Sequence, residues 1–592
     1  MNLPARKHDL ETPFLGVESS FSGRKWVGNE SNERLSLAIT QSYGLPPILG
    51  DILASRQIAF EHIPHFLNPT LRHFLPDPYH LQDMEKAVLR IIKAIENQEK
   101  IAVLGDYDVD GATSSALLIR FFKSLDINIL CHIPDRIKEG YGPNINAFKS
   151  LRTQGATLIL TVDCGTLSYE PIAYAFDNKI DIIVLDHHVA EPSLPKAYAI
   201  VNPNRLDDDS PHKNLAAVGV TYLFLIALNR QLRLKGFFAT RSEPDLLSLL
   251  DLVALGTVCD VMKLKDLNRA FVSQGLKVMG KRQNLGLSIL ADVAKLSESL
   301  SAYHLGFLLG PRINAGGRIG QSDLGVQLLT TDQPALAQSI AQHLDSLNKE
   351  RQEMELSMVE TAMLLAESES DEIGPLIVAN HDWHPGIIGI VASRLKDRYH
   401  RPTIIIAINE GIGKGSGRSV YGFEMGKYII AAKQEGIILE GGGHDMAAGL
   451  SIEKAQIPRF KAFMKEKYPY PPYNPPLEID ATLLTEALTP DLVKHLEKLG
   501  PFGSGNPSPR LVIPKMRLVK IDQLAKNTLR LLFKQEKFGK EHFLNAIAFK
   551  AADTSLGRNL KDAFGKECHI AGQLKIDNFR GGVQFSLEDA AF

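Results

Sequence analysis

The chain has 592 residues, 44% of them apolar and 23% charged, a composition that excludes a fibrous or wholly disordered protein. At about 150 residues per domain the length predicts three or four domains. A formal net charge of −2 excludes a global field as the means of holding a polyanion, so local basic patches or metal would have to do it.

The first 40 residues are polar and weakly patterned, without the apolar core of a secretory signal, and read as a mobile or loosely docked leader. From Asp83 the pattern becomes regular. MEKAVLRIIKAIENQEK has helical spacing, and IAVL (101 to 104) is a short apolar run of the kind found in buried parallel strands. It ends in GDYDVDG, after which ATSSALLIRFFKSL resumes a helical period. TLILTV then runs into Asp163-Cys164-Gly165, and IDIIVL into Asp186-His187-His188.

Three strand-like runs separated by helical segments predict a doubly wound α/β lobe with a parallel sheet. Ligands of such sheets sit beyond the carboxyl ends of the strands, where each acidic cluster falls. Further on, DLVALGTVCDV delivers Asp260 at the end of another apolar run. Asp106, Asp108, Asp110, Asp163, Asp186, His187 and Asp260 would then converge, and so many carboxylates cannot be ionised together without a cation. Oxygen ligands with an occasional imidazole suit Mg²⁺ or Mn²⁺ better than Zn²⁺. Two such ions bridged by a carboxylate serve attack of water on a phosphorus ester.

GPRINAGGRIG (310 to 320) reads as a strand-end or helix-start loop, and LNKERQEMELSMVETAMLLAESE (347 to 369) as one long connecting helix with solvent-facing charges. Around KGSGRS (414 to 419), Gly413, Gly415 and Gly417 alternate with Lys414, Ser416 and Arg418, so a guanidinium and a hydroxyl can reach a phosphate past small residues; a glycine-rich turn is the rival reading. PYPPYNPP after Tyr468 is a linker. Beyond it RLVIPKMRLVKI, TLRLLFK, HFLNAIAFK and HIAGQLKI read as short strands. The four cysteines, Cys131, Cys164, Cys259 and Cys568, lack CxxC spacing, which points to a reducing, cytoplasmic setting. No run approaches the ~18 apolar residues of a membrane span.

GDYDVDGATS, TVDCG, LDHH and ALGTVCDV, in that order, resemble the four motifs of the DHH phosphoesterase superfamily. PDRIKEGYGPN, IVNPNR, GPRINAGGRIG, WHPGIIGIVASRL, KGSGRS, GGGHDMAAG and LGPFGSGNPSP are similar to segments of its bacterial single-strand-specific exonucleases, from about residue 45 to the C-terminus. The resemblance implies a DHH catalytic domain over 41–340 after the leader 1–40, a connecting helix over 341–370 and a second α/β, DHH-associated lobe over 371–468. A linker with an OB-fold-like, β-rich nucleic-acid-binding domain would follow over 469–592.

It also implies two Mn²⁺ or Mg²⁺ ions on Asp108, Asp110, Asp163, His187 and Asp260, with Asp163 bridging and Asp106 a ligand or a partner of one. His188 would touch the substrate phosphate. Ser416, Arg418 and Arg136 would hold a terminal 5′-phosphate. Arg312, Asn314, Arg318, Tyr141 and His444 would contact DNA, and Lys515, Arg517, Lys520, Arg530 and Lys534 would offer phosphate contacts on the OB-like domain. The implied activity is 5′→3′ hydrolysis of single-stranded DNA to mononucleotides in recombination and repair, with a single-strand-binding protein and a repair helicase as partners. Shorter relatives that cleave oligoribonucleotides or cyclic dinucleotides are the alternative, disfavoured by the strand-rich extension. The intact carboxylate and imidazole set argues against a non-catalytic scaffold. Thr166, Cys259 and Phe579 depart from the family's usual residues.

Overall fold

The computed structural model describes residues 12–28, 32–136, 138–368, 373–468, 470, 474–537, 539–577 and 581–592. Phe579, half of the proline-rich linker and the first eleven residues lie outside them. The described chain forms two compact units, one built from both ends of the sequence and one from residues 74–473 with Gly503–Gly505.

The larger unit carries the doubly wound lobe. Its five strands are all parallel, in the spatial order Leu130–His132, Ile101–Gly105, Leu158–Val162, Asp181–Leu185, Ala199–Val201. Ile101–Gly105 and Leu158–Val162 are buried along their whole length, which is why they read as unbroken apolar runs. The order reverses between those two strands. Their carboxyl ends therefore diverge from helices on opposite faces and leave a crevice between them.

The run before Asp260 is a helix, Leu250–Cys259, rather than a strand. Its residues from Leu250 to Thr257 are all buried, so the sequence has no polar face to betray a helical period. GPRINAGGRIG is likewise helical (Gly310–Ile319) rather than a loop, with its proline in the first turn, where a missing N–H costs nothing.

The connecting helix spans Pro334–Ser368. Not all its charges face water: Arg351 and Glu355 are buried, paired with each other, and Glu355 also accepts from Arg394 Nε at 2.8 Å. The following lobe is a mixed five-stranded sheet in the order Glu440–His444, Ala447–Glu453, Ile412–Arg418, Thr403–Asn409, Leu376–His381.

In the other unit, strands Leu511–Leu524, Thr528–Lys537, Lys540–Ala548, Val583–Ala591 and Glu567–Ile576 pair in that order, and the last returns to the first. A helix, Ser555–Asp562, joins Lys540–Ala548 to Glu567–Ile576. This closed five-stranded barrel is the OB topology. Four of its five predicted phosphate-contact residues lie in ion pairs with barrel carboxylates: Arg517 with Glu567, Lys520 and Arg530 with Asp522, Lys534 with Glu541.

The leader is not loose where it is described. Trp26–Gly28 pairs in parallel with Leu477–Ile479, and Trp26 is fully buried with its indole N–H donating to Asp589 at 3.1 Å. Ile39, Leu49, Ile52 and Leu53 join the barrel's core, so residues 41–73 pack in this unit and not in the catalytic lobe expected from 41 onward.

Candidate active site

Strand ends and one helix end converge at the crevice. Asp106 and Asp108 follow Ile101–Gly105, Asp163 follows Leu158–Val162, and His187 and His188 follow Asp181–Leu185. Asp260 caps the helix Leu250–Cys259. Ligand atoms lie within 4.8 Å of one another in three groups: Asp106, Asp108 and Asp163; Asp110, His187 and Asp260; Asp163, His187 and His188. Asp163 and His187 each belong to two. His187 Nε2 stands 3.3 Å from Asp163 Oδ1, 3.4 Å from Asp260 Oδ2 and 3.9 Å from Asp110 Oδ2.

Local structure holds each member. Asp108 Oδ1 caps the helix Val109–Ser124 by accepting from Asp110 N and Gly111 N. Asp110 accepts from Ala217 N at 2.7 Å and Val218 N at 2.9 Å, at the start of the helix Ala217–Leu234. Gly256 must lack a side chain, because a Cβ there would come 2.4 Å from Thr113 Oγ1 and 3.0 Å from Asp110 Oδ1.

Asp186 is no member of these three groups; it sets the DHH loop. Its Oδ2 accepts from the Thr166 backbone and hydroxyl, and its Oδ1 from His187 N, His188 N and His188 Nδ1, the last at 2.7 Å. From the IVNPNR turn, Asn204 Nδ2 donates to His187 O and Asn202 Nδ2 to His188 O.

The electrostatics fit a divalent cation. Burial, reinforced by Asp108, pushes Asp110 up to about 7, and burial followed by the neighbouring carboxylates raises Asp106, Asp163 and Asp260 well above the ordinary range. Asp106 Oδ1 and Asp260 Oδ2 are buried and accept no hydrogen bond. Negative charge so crowded needs a counter-charge, and the oxygen-rich donor set suits Mg²⁺ or Mn²⁺. Burial, helped by the neighbouring His188, lowers His187 to about 4, so its ring is neutral and offers a lone pair. At His188 burial works against the charge, but Asp186 outweighs it and raises the imidazole to about 9.

Beside this cluster a cleft of about 1670 Å³ is lined by Tyr107, Arg136, Arg318, Ser416, Arg418 and the turn before the helix Ile388–Tyr399. Burial and then the nearby Arg136 lower both Arg318 (to about 10) and Arg418, the pattern of guanidinium groups gathered without an anion between them. Arg136 also lies over the Tyr107 ring, 4.9 Å from its centroid.

KGSGRS is a central strand rather than a turn. Its glycines face inward, where a Cβ would collide with Ile406 at 2.6 Å, Leu450 at 2.7 Å and Met425 at 2.9 Å, and the strand's alternation turns Lys414, Ser416 and Arg418 to the cleft.

Two predicted DNA contacts, Arg312 and Asn314, are engaged within the protein. Arg312 bonds Asp345 at 2.9 Å and the Leu308 carbonyl at 2.7 Å, fastening its helix to the connecting helix. Asn314 Oδ1 accepts from Val109 N and so braces the helix that carries Asp110. His444 lies two strands over from Arg418, lining a hollow together with Lys427 and Val189, the residue that follows His188. Tyr141 stays half-exposed, yet its hydroxyl donates to the Asp163 carbonyl and its ring meets His188 edge-on. Sequence reasoning gave no role to Tyr107, Thr166, Asn202 or Asn204; the asparagines flanking a proline in IVNPNR were the available signal.

A parallel sheet whose strand ends gather carboxylates and a His pair, followed by a second lobe that lines the same cleft, defines a DHH phosphoesterase. Residues 100–257 match the DHH family N-terminal domain, 374–468 the DHHA1 domain and 479–589 the RecJ OB domain. The chain is 36% identical over 559 residues to the single-stranded-DNA-specific exonuclease RecJ of Escherichia coli, covering 92% of this chain and 95% of that one. It is 32% identical to that of Bacillus subtilis, covering 96% and 71%. The crystal structure of RecJ in complex with Mn²⁺ from Thermus thermophilus superposes with a TM-score of 0.77 at 27% identity, over 94% of this chain and 77% of that one. The chain belongs to the RecJ family of single-stranded-DNA-specific exonucleases.

Proposed function

We propose that this chain is a metal-dependent exonuclease that degrades single-stranded DNA from its 5′ end to mononucleotides, in recombination and repair. What carries the direction is the pairing of two subsites in one cleft: a cationic group of Arg136, Ser416 and Arg418 suited to a terminal phosphate, next to a carboxylate and imidazole cluster. Asp108, Asp110, Asp163, His187 and Asp260 would hold two Mn²⁺ or Mg²⁺ ions, with Asp106 beside them. Bound there, the metals supply Lewis-acid activation of water and of the phosphodiester.

The remaining work falls to side chains. His188, held cationic by Asp186, donates a hydrogen bond to the phosphoryl oxygen that gains charge. Ser416, Arg418 and Arg136 grip the terminal phosphate, and the first N–H groups of the helix Ile388–Tyr399 add a positive dipole. Arg318 lies between the two subsites' loops as a backbone contact. Single-strand-binding protein and a repair helicase are the partners such a role calls for, in the cytoplasm. Among the described residues no helix is long and apolar enough to cross a membrane.

The test is a Mn²⁺-dependent digestion of single-stranded DNA labelled separately at each end, with a duplex and a short RNA alongside. Early release of mononucleotide from the 5′ label, with the duplex intact, is the expected result. Hydrolysis of short RNA or a cyclic dinucleotide without DNA cleavage would overturn the substrate. For Arg418→Ala, loss of a charge-assisted contact predicts a fall of roughly tenfold to a hundredfold in the preference for 5′-phosphate over 5′-hydroxyl ends. An unchanged preference would remove Arg418 from the pocket.

A further inference from the structure

Large apolar side chains stand in solvent close behind the cluster's own residues. Leu167 follows Asp163 by four positions, Val189 follows His188 directly and Val261 follows Asp260 directly; they are 47%, 54% and 69% exposed. Val261 is β-branched and sits at φ 58, a left-handed conformation that such residues avoid.

The neighbouring helical turn adds two rings. Cys259 Sγ bonds the Leu305 carbonyl at 3.4 Å, and a Cβ on Gly306 would lie 3.4 Å from Val258. That packing seats the turn against the end of the helix that delivers Asp260. From it Tyr303 and Phe307 project outward, stacked on each other with centroids 5.1 Å apart and 25° between planes, 60% and 68% exposed. Nothing in folding favours leaving these groups in water.

A single strand offers phosphates to a cationic and metal-binding centre and carries flat apolar bases a short reach away. Exposed aromatic rings bind such bases irrespective of sequence. The terminal-phosphate pocket opens on the Tyr107 and Arg136 side of the cluster, whereas these rings lie on its Asp260 side. We infer that Tyr303 and Phe307, with Val261, form a stacking ledge for nucleobases on the 3′ side of the bond being cut. The ledge rests on the exonuclease reading above; it adds where the body of the substrate lies. Because the ledge recognises faces and not hydrogen-bonding edges, it grips each newly arrived nucleotide whatever its base.

The test is a scan of single abasic sites through a 5′-phosphorylated oligonucleotide, read as kcat/KM for the first cut. The unsubstituted enzyme is expected to lose about tenfold when the missing base falls over the ledge. Phe307→Ala is expected to be slower by a similar factor on the intact strand and indifferent to the abasic site at that position, with penalties elsewhere retained. Phe307→Trp should keep the abasic penalty and Phe307→Leu, similar in bulk, should lose it. An abasic profile unchanged in Phe307→Ala and Phe307→Leu, or a loss equal at every position, would overturn the ledge. Failure of the unsubstituted enzyme to digest single strands at all would instead overturn the exonuclease reading.

Discussion

Asp163→Ala is expected to stop hydrolysis, by on the order of a thousandfold or more, while single-stranded DNA still binds. Asp163 belongs to two of the three ligand groups and stands 3.3 Å from His187, so its loss opens both halves of the metal centre. The arginines of the terminal-phosphate pocket are untouched, and they carry much of the affinity. Turnover near the normal rate would dismiss Asp163 as the shared ligand. The same position makes a prediction about stability with the opposite sign. Burial first, then Asp108 and Asp110, raise the Asp163 carboxyl above its unfolded value, so ionising it costs stability at neutral pH. With metal stripped by chelation, Asp163→Asn should therefore melt above the unsubstituted chain, by roughly 2–4 °C for each kcal/mol relieved. With Mn²⁺ restored the order should reverse, because the ions stabilise only the protein that binds them. A lower melting temperature for Asp163→Asn in the stripped state would mean that the carboxylates do not strain the centre.

Asp589→Ala should destabilise the barrel unit by about 3 kcal/mol or more, at about 1–3 kcal/mol for each buried donor left without its acceptor. Asp589 is completely buried and accepts from Ser20 Oγ at 2.6 Å, Ser22 Oγ at 2.8 Å, Trp26 Nε1 at 3.1 Å and two backbone N–H groups. Alanine would leave the indole N–H and two hydroxyls without their acceptor. The chain has two tryptophans, Trp26 and Trp383, so a Trp383→Phe background makes Trp26 the only reporter. Denaturant titration in that background should show the emission of Trp26 shifting to the red at lower denaturant in Asp589→Ala. Coincident midpoints would show that the N-terminal segment does not depend on this carboxylate.

The cluster was legible because its members fall at strand ends, and strand ends in an α/β lobe point to one crevice. Asp108, Asp163 and His187 needed only that rule. Asp260 was found at the right place for the wrong local reason: LVALGTVC is apolar on all sides, so burial erased the helical period that would have distinguished it from a strand. The glycines of GPRINAGGRIG concealed a helix because they answer a packing demand. At Gly317 a Cβ would meet the Tyr107 carbonyl at 2.5 Å, a close approach that composition reads as a loop. Arg312 and Arg318 stand six residues apart on that helix, and only the partner surfaces decide which meets Asp345 and which meets the cleft. The leader was misread for a different reason. Trp26 looks isolated among polar residues, and its acceptor lies 563 positions away.

That separation also governs how the chain is made. Synthesis at about 5–20 residues per second puts Asp589 on the chain roughly half a minute to two minutes after Trp26. Until then Phe21, Trp26, Ile39 and Leu53 have no barrel to enter. The catalytic unit, continuous from Phe74 to Tyr473 apart from Gly503–Gly505, emerges in between and can close first. The apolar side chains of the N-terminal segment therefore stay without their partners until the strand Val583–Ala591 has been made.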